Sequence, residues 1–264
     1  NLQIKQSEKF KKLAENNRIN SMFIIPTRGI IYDRNNLVLA DNVEQYQLIY
    51  RYANTANKFD HLMQIFKYLK IDNKKKQKLL RDISVNDNEF LQVVVKNDLL
   101  WKEVAMISSN ITELRGVFIE VIMRRSYDSL PSSHVIGYVK PPDKEEYPKL
   151  ANVPGTVVGK IGIEKTFDKK LQGKFGVKKE EVNAHGRVVK EISRVNGIPG
   201  EDIKVSISKS LQEFCYNRLE DNSGAIVVLD VNNGEILSMV SKPSFNSNDF
   251  IAAMSQDKWN KISN

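Results

Sequence analysis

The sequence predicts an α+β protein, with a mixed domain over roughly the first 200 residues and the opening helix and hairpin of a second. Three observations carry this. Helical and strand periods alternate along the first part with no internal repeat. The 264 residues correspond to about two domains at roughly 150 residues each. From Ser208 onward the pattern sharpens to one apolar helix stripe and two apolar runs, after which the chain ends.

Residues 7–17 carry the first helical pattern. Phe10, Leu13 and Ala14 share a stripe, and Ser7 is a suitable N-cap. Pro26 and Gly29 break it. Ile30–Tyr32 and Leu37–Ala40 read as short strands about the turn Asp33-Arg34-Asn35-Asn36, with Tyr46–Tyr50 as a third. In residues 59–82, Leu62, Ile65, Phe66 and Leu69 share a helical face; Leu79, Leu80 and Ile83 follow a lysine-rich link. Phe90–Val95 reads as a strand, Leu99–Ile107 as a helix and Val117–Met123 as a strand. The proline-dense stretch 140–156 is the best loop or hinge, and Gly159–Leu171 returns to helix. Val177–Val182 and Val188–Ile192 flank Asn183-Ala184-His185-Gly186 as a hairpin, and Pro199-Gly200 leads into strand Ile203–Ile207. Leu211, Phe214, Cys215 and Leu219 mark a helix capped by Ser208 or Ser210. Gly224–Asp230 and Glu235–Ser241 form a second hairpin about Asn232-Asn233-Gly234. Its first run is apolar on both faces, so a covered, central strand is expected.

Composition narrows the function. With 41% hydrophobic residues the chain has material for real cores. Forty Lys and Arg against 32 Asp and Glu leave a formal charge of +8, which suggests an anionic neighbour: nucleic acid, a phospholipid surface or an acidic polymer. The longest apolar runs, such as Ala225–Leu229, fall far short of the ~20 residues of a membrane span. The single Cys215 excludes an internal disulfide and a cysteine-based zinc site, and His61, His134 and His185 show no ligand spacing. No cofactor and no metal are expected. A first residue Asn1 with no signal peptide reads as a trimmed chain.

Catalytic constellations are missing: there is no Gly-x-Ser-x-Gly elbow, no phosphate-binding loop and no His-Glu-x-x-His helix. Ser255–Lys258 and Ser206–Lys209 match Ser-x-x-Lys by letters, a pattern common by chance in a chain rich in both residues. Cys215 reads as a small buried hydrophobe, and Trp101 and Trp259 as core anchors. Lys74, Lys75, Lys76 and Lys78 read as a solvated face without interleaved aromatics. One constellation resists a bland account. Arg28, Asp33 and Arg34 surround a tight turn, and Gly159-x-x-Gly162-x-Glu164 opens a helix far along the chain. Arg28 or Arg34 pairing with Asp33 or Glu164 would tie these distant segments into a structural, domain-docking network.

The same residues carry a resemblance. Arg28-Gly-Ile-Ile-Tyr-Asp33-Arg34-Asn35-Asn36-Leu-Val-Leu-Ala40 resembles the first non-catalytic motif of class B penicillin-binding proteins. His134-Val-Ile-Gly-Tyr-Val139 and Gly159-Lys-Ile-Gly-Ile-Glu164 through Gly173 resemble later ones, and Gly224–Phe250 resembles the start of the transpeptidase domain. Within the family, Asn183–Val189 and Met254–Lys261 are most similar to the penicillin-binding protein 2, or elongation, type rather than the septal type. Asn36 stands where the family usually has Gly. Asn tolerates left-handed φ, so the turn is expected to survive.

The resemblance implies an elongated, mixed pedestal of the non-catalytic dimerisation type over 1–200, with a mobile, head-like inserted part at about 44–140. Residues 201–264 would be an incomplete start of the transpeptidase α/β fold. It implies a serine-type D,D-transpeptidase that cross-links peptidoglycan and is acylated by β-lactams, held in the inner membrane on the periplasmic side by a removed N-terminal helix. The implied partners are MreC and RodA-type elongation proteins, with peptidoglycan precursor as the full-length protein's substrate and no nucleic acid. The family's Pro-Gly-Ser-x-x-Lys, Ser-x-Asn and Lys-Thr-Gly motifs are not in this chain; Ser244-Phe245-Asn246 matches the second by letters only. The chain alone is therefore expected neither to acylate nor to bind penicillin. The other readings are a basic nucleic-acid- or anionic-lipid-binding module, a septal-type family member, and a serine acyltransferase using Ser255 and Lys258.

Overall fold

The computed structural model describes residues 19–53, 58–85, 90–128, 130–143, 145, 153, 155–182 and 188–251. The sequence-derived helix at 7–17, the hairpin turn with His185, and Ser255, Lys258 and Trp259 lie outside them.

The elements run β1 (Ile19–Ile24), β2 (Ile31–Tyr32), β3 (Val38–Ala53), α1 (Lys58–Tyr68), α2 (Asn73–Val85), β4 (Phe90–Lys96), α3 (Trp101–Ser109) and β5 (Val117–Tyr127). Next come α4 (Ser133–Ile136), β6 (Val139–Lys140), β7 (Val158–Gly159), α5 (Gly162–Thr166), α6 (Asp168–Gln172), β8 (Gly176–Val182) and β9 (Val188–Val195). The chain continues through β10 (Ile203–Lys204), α7 (Lys209–Arg218), β11 (Gly224–Leu229) and β12 (Ile236–Lys242), with 3-10 turns at Leu130–Ser132 and Ser247–Phe250. Helices and strands are mixed throughout, as an α+β fold requires. The described residues form two compact units: one from 19–22, 44–122 and 177–195, the other from 23–43, 123–176 and 196–251.

In the first unit β3 pairs antiparallel with β4, Leu48 opposite Lys96 and Tyr50 opposite Val93, and also pairs with β5. Leu48 and Tyr50, two apart and so on one face of the strand, meet Leu62, Ile65, Phe66 and Leu69 of the first helix and its end. Leu79 and Ile83 of α2 and Val104 and Ile107 of α3 complete this core. A second sheet, β1-β8-β9, belongs to the same unit. In the second unit the start of β3 pairs antiparallel with β2, which pairs in parallel with β10. Ile31, Leu39, Ile136, Val139 and Leu171 form its core.

Several elements differ from the sequence reading, each for a physical reason. Val38–Ala40 and Tyr46–Tyr50 belong to one 16-residue strand, because the mostly polar Asp41–Gln45 stays extended, and Leu37 lies just before it. The lysine-rich link is the first turn of α2, where Asp72 accepts the Lys74 N–H at 3.1 Å and caps the helix. The helix expected over Gly159–Leu171 is two short ones separated at Phe167. Ile203–Ile207 holds only the two-residue β10. Trp101 is no core anchor: it opens α3 with 71% of its surface exposed, while Val104 and Ile107 face the core. Phe214 is 56% exposed with the Arg218 guanidinium 5.0 Å from its ring, and Gln212 and Cys215 are the inward residues of α7. β11 alternates instead of being covered on both faces; Val227 and Leu229 point outward, and β12 is its one paired strand among the described residues.

Candidate functional site: a buried ion network

Within the second unit a carboxylate sits fully buried between two arginines. Arg28 lies in the segment between β1 and β2. Its Nε donates to Glu164 Oε2 at 2.8 Å, and its Nη2 donates to the Glu164 carbonyl at 3.1 Å and to Asp168 Oδ1 at 2.8 Å. From the end of β5, Arg125 Nε donates to Glu164 Oε1 at 2.7 Å and Nη1 to the Gly29 carbonyl at 2.7 Å. The Tyr127 hydroxyl donates to Glu164 Oε1 at 3.2 Å. Asp168 Oδ1 also accepts the Gly159 N–H at 2.9 Å. Two guanidinium charges thus face two carboxylates, and the hydrogen bonds carry charge on both sides.

Local sequence explains the geometry. Glu164 and Asp168 are four apart, so α5 and α6 present both toward Arg28. Gly162 begins α5 at φ +62°, a left-handed conformation that a side chain disfavours. At Gly159 an added Cβ would lie 2.0 Å from the Glu164 carbonyl oxygen, so the backbones cross where no side chain fits. Burial works against the Arg28 charge, but Glu164 and Asp168 outweigh it and raise its pKa above the usual range. Burial, reinforced by the Glu164 charge, holds the Tyr127 hydroxyl well above its ordinary pKa, so it remains a donor. Arg28 Nη1 and Arg125 Nη2 are buried without a hydrogen-bond partner.

Asp33 and Arg34 occupy a different place in the unit. Asp33 is buried; its Oδ1 accepts the N–H groups of Asn35 and Leu37, both at 2.7 Å, and Oδ2 accepts the Lys209 N–H at 3.0 Å. Burial pushes its pKa up, yet the donors at Lys209, Leu37 and Asn35 prevail and hold it below the usual carboxylate range. Asn36 adopts φ 64°, the left-handed conformation expected of it. Arg34 reaches Glu235 at 3.5 Å on the surface. So the structure joins Arg28 to Glu164, and seats Asp33 and Arg34 against α7 and the β11–β12 turn.

Sequence reasoning missed Arg125, Tyr127, Asp168 and Gln212. Gln212 is fully buried; its Oε1 accepts the Ser238 hydroxyl at 2.8 Å, and its Nε2 donates to the Met239 carbonyl at 3.1 Å, joining α7 to β12. The spacing of Asp168 from Glu164 was an available signal. Ser206 donates to the Ile236 carbonyl while Lys209 Nζ pairs with Asp128, so that Ser-x-x-Lys pair makes no nucleophile–base contact. Among the described residues no His, Cys, Asp or Glu cluster is arranged for a metal, and no helix is long and apolar enough to cross a membrane.

The mixed fold carrying these motifs is that of the penicillin-binding proteins. Residues 23–205 match the family described as the penicillin-binding protein dimerisation domain, and the chain belongs to it. Its relatives include peptidoglycan D,D-transpeptidases. It is 32% identical over 99% of its length to peptidoglycan D,D-transpeptidase MrdA of Salmonella typhimurium, and 31% identical over 100% to MrdA of Escherichia coli. The chain spans 43% of the length of each. It also matches penicillin-binding protein 2 of Helicobacter pylori solved in complex with MreC, with a TM-score of 0.75 and 30% identity over 93% of this chain and 47% of that one. The same Helicobacter pylori protein solved by itself matches with a TM-score of 0.64 at 29% identity over the same shares.

Proposed function

We propose that this chain is the non-catalytic periplasmic portion of a penicillin-binding protein 2-type D,D-transpeptidase, the portion that positions a catalytic domain and docks elongation partners. The full-length protein would cross-link peptidoglycan during cell elongation, anchored in the inner membrane by a helix preceding Asn1. MreC and a RodA-type polymerase would be its partners, and peptidoglycan precursor its substrate.

The observation that carries this reading is the dimerisation-domain match over residues 23–205, extended by similarity to MrdA along the whole chain. An inserted, head-like part near 44–140 is supported by the separate core of residues 48–117. Arg28, Arg125, Glu164 and Asp168 would be the rigid centre of the pedestal, because removing one buried charge leaves its partners uncompensated. Asp33 and Arg34 would tie its first turn to the helix and hairpin that open the following domain; the Lys209 and Glu235 contacts support that.

The test is capture. The immobilised chain is expected to retain the purified periplasmic part of MreC from the same organism and to take no label from fluorescent penicillin. A folded chain that fails to retain MreC removes the docking role. A labelled band that is lost in Ser255→Ala removes the non-catalytic one.

A further inference from the structure

The chain's positive charge is concentrated in the helix pair of the first unit. Residues 58–85 hold eight Lys or Arg against three Asp, a net +5 of the +8 in the whole chain. Lys74, Lys78 and Arg81 follow the i, i+4, i+7 rule along one exposed stripe of α2, and Lys67 and Lys70 flank its start. None of Lys67, Lys70, Lys74, Lys75 and Lys78 forms an ion pair with a described carboxylate, unlike Lys96, Lys160, Lys178 and Lys209. Between the two helices an open pocket of about 620 Å³ gathers Lys67, Lys70 and Lys76 with Tyr68.

The second observation is apolar. Leu100 and Trp101 are 57% and 71% exposed at the start of α3. They stand two and three residues after Asp98, and Asp98, Lys96 and Lys78 are the electrostatic neighbours of Lys75. Burial lowers the Lys75 pKa; Asp98 opposes that, while Lys96 and Lys78 add to it, so an incoming anion relieves a crowded cation. An exposed Trp beside a lysine field is the composition of a bilayer interface. The amphipathic ring takes the headgroup level and the ammonium groups take lipid phosphates.

We propose that the α1–α2 lysine face, with Leu100 and Trp101, is a docking surface for an anionic phospholipid bilayer. An acidic protein or soluble polyanion would satisfy the lysines but would leave the exposed indole without a role, so the pair of features favours the bilayer. This surface lies outside the buried network and stands independently of the pedestal reading.

Vesicle binding tests it. The whole chain carrying Trp259→Phe, in which Trp101 is the sole indole, is mixed with vesicles of phosphatidylglycerol and phosphatidylcholine or of phosphatidylcholine alone. The expected result is co-flotation and a blue-shifted Trp101 emission with the anionic vesicles only, weakening as salt rises. Lys74→Gln/Lys75→Gln/Lys78→Gln should lower partitioning by roughly a hundredfold at low salt, at about fivefold per lysine. Lys169→Gln/Lys170→Gln/Lys174→Gln, an equal charge loss in the other unit, should leave partitioning within about twofold. The proposal is overturned by equal losses in the two triple variants, by an unshifted Trp101 emission, or by polyglutamate binding as tightly as the vesicles.

Discussion

Glu164 accepts hydrogen bonds from Arg28, Arg125 and Tyr127 while fully buried, so neutralising it leaves the buried Arg125 guanidinium without a carboxylate and Arg28 with Asp168 alone. Glu164→Gln is expected to lower unfolding free energy by about 3–5 kcal/mol, the range for breaking a buried pair from one side. Arg34→Ala, whose partner pair is open to solvent, should change it by less than about 0.5 kcal/mol. Urea denaturation of both variants checks the contrast. Asp33 adds a pH term. Its folded pKa is depressed, so its contribution is complete above the unfolded value near about 4 and is lost as pH falls through the folded value. The urea midpoint of the unmodified chain should therefore drop below about pH 4 more steeply than that of Asp33→Asn. At this scale the sequence was half legible. Arg28 and Glu164 stood out by their motifs, while Asp168, four residues beyond Glu164, was passed over. Arg125 did not stand out, because adjacent Arg124 and Arg125 differ only in which face of β5 each occupies, and strand pairing decides that.

Among elements, the joint between α7 and β12 depends on one side chain that composition disguises. Gln212 shares a helix stripe with Cys215, and its amide satisfies Ser238 and both backbone groups of Met239. Gln212→Leu keeps the volume but leaves a buried hydroxyl and a buried N–H unpaired, which should cost about 2 kcal/mol or more. Faster hydrogen exchange at the Met239 amide is the measurement. The apolar period located α1, α3 and α7 because each buries one face, whereas turn residues marked both hairpins, and β9 is exposed along its whole length. The period failed at β3, where extended polar residues join two apolar runs, and at Trp101 and Phe214, whose size suggested a core they do not enter. Large aromatics report burial only on average; the neighbouring element decides each case.

Across the whole molecule, the chain alternates between two units with separate cores, a division that no run of glycine, proline or serine at residues 43–44 or 122–123 announces. Pro141, Pro142, Pro148 and Pro154 marked a loop instead. Ile65→Ala should destabilise the first unit by about 2–5 kcal/mol and speed exchange at Leu48 and Tyr50, leaving Ile31 and Leu171 unchanged. Faster exchange at all four would show a single cooperative unit. The single thiol offers an independent clock. Cys215 is 5% exposed on the inner face of α7, so a thiol reagent meets it only when that helix lifts away. Where opening and closing outpace the reaction, the labelling rate equals the intrinsic thiol rate multiplied by the open fraction, and the second unit thus carries its own built-in gauge of fluctuation.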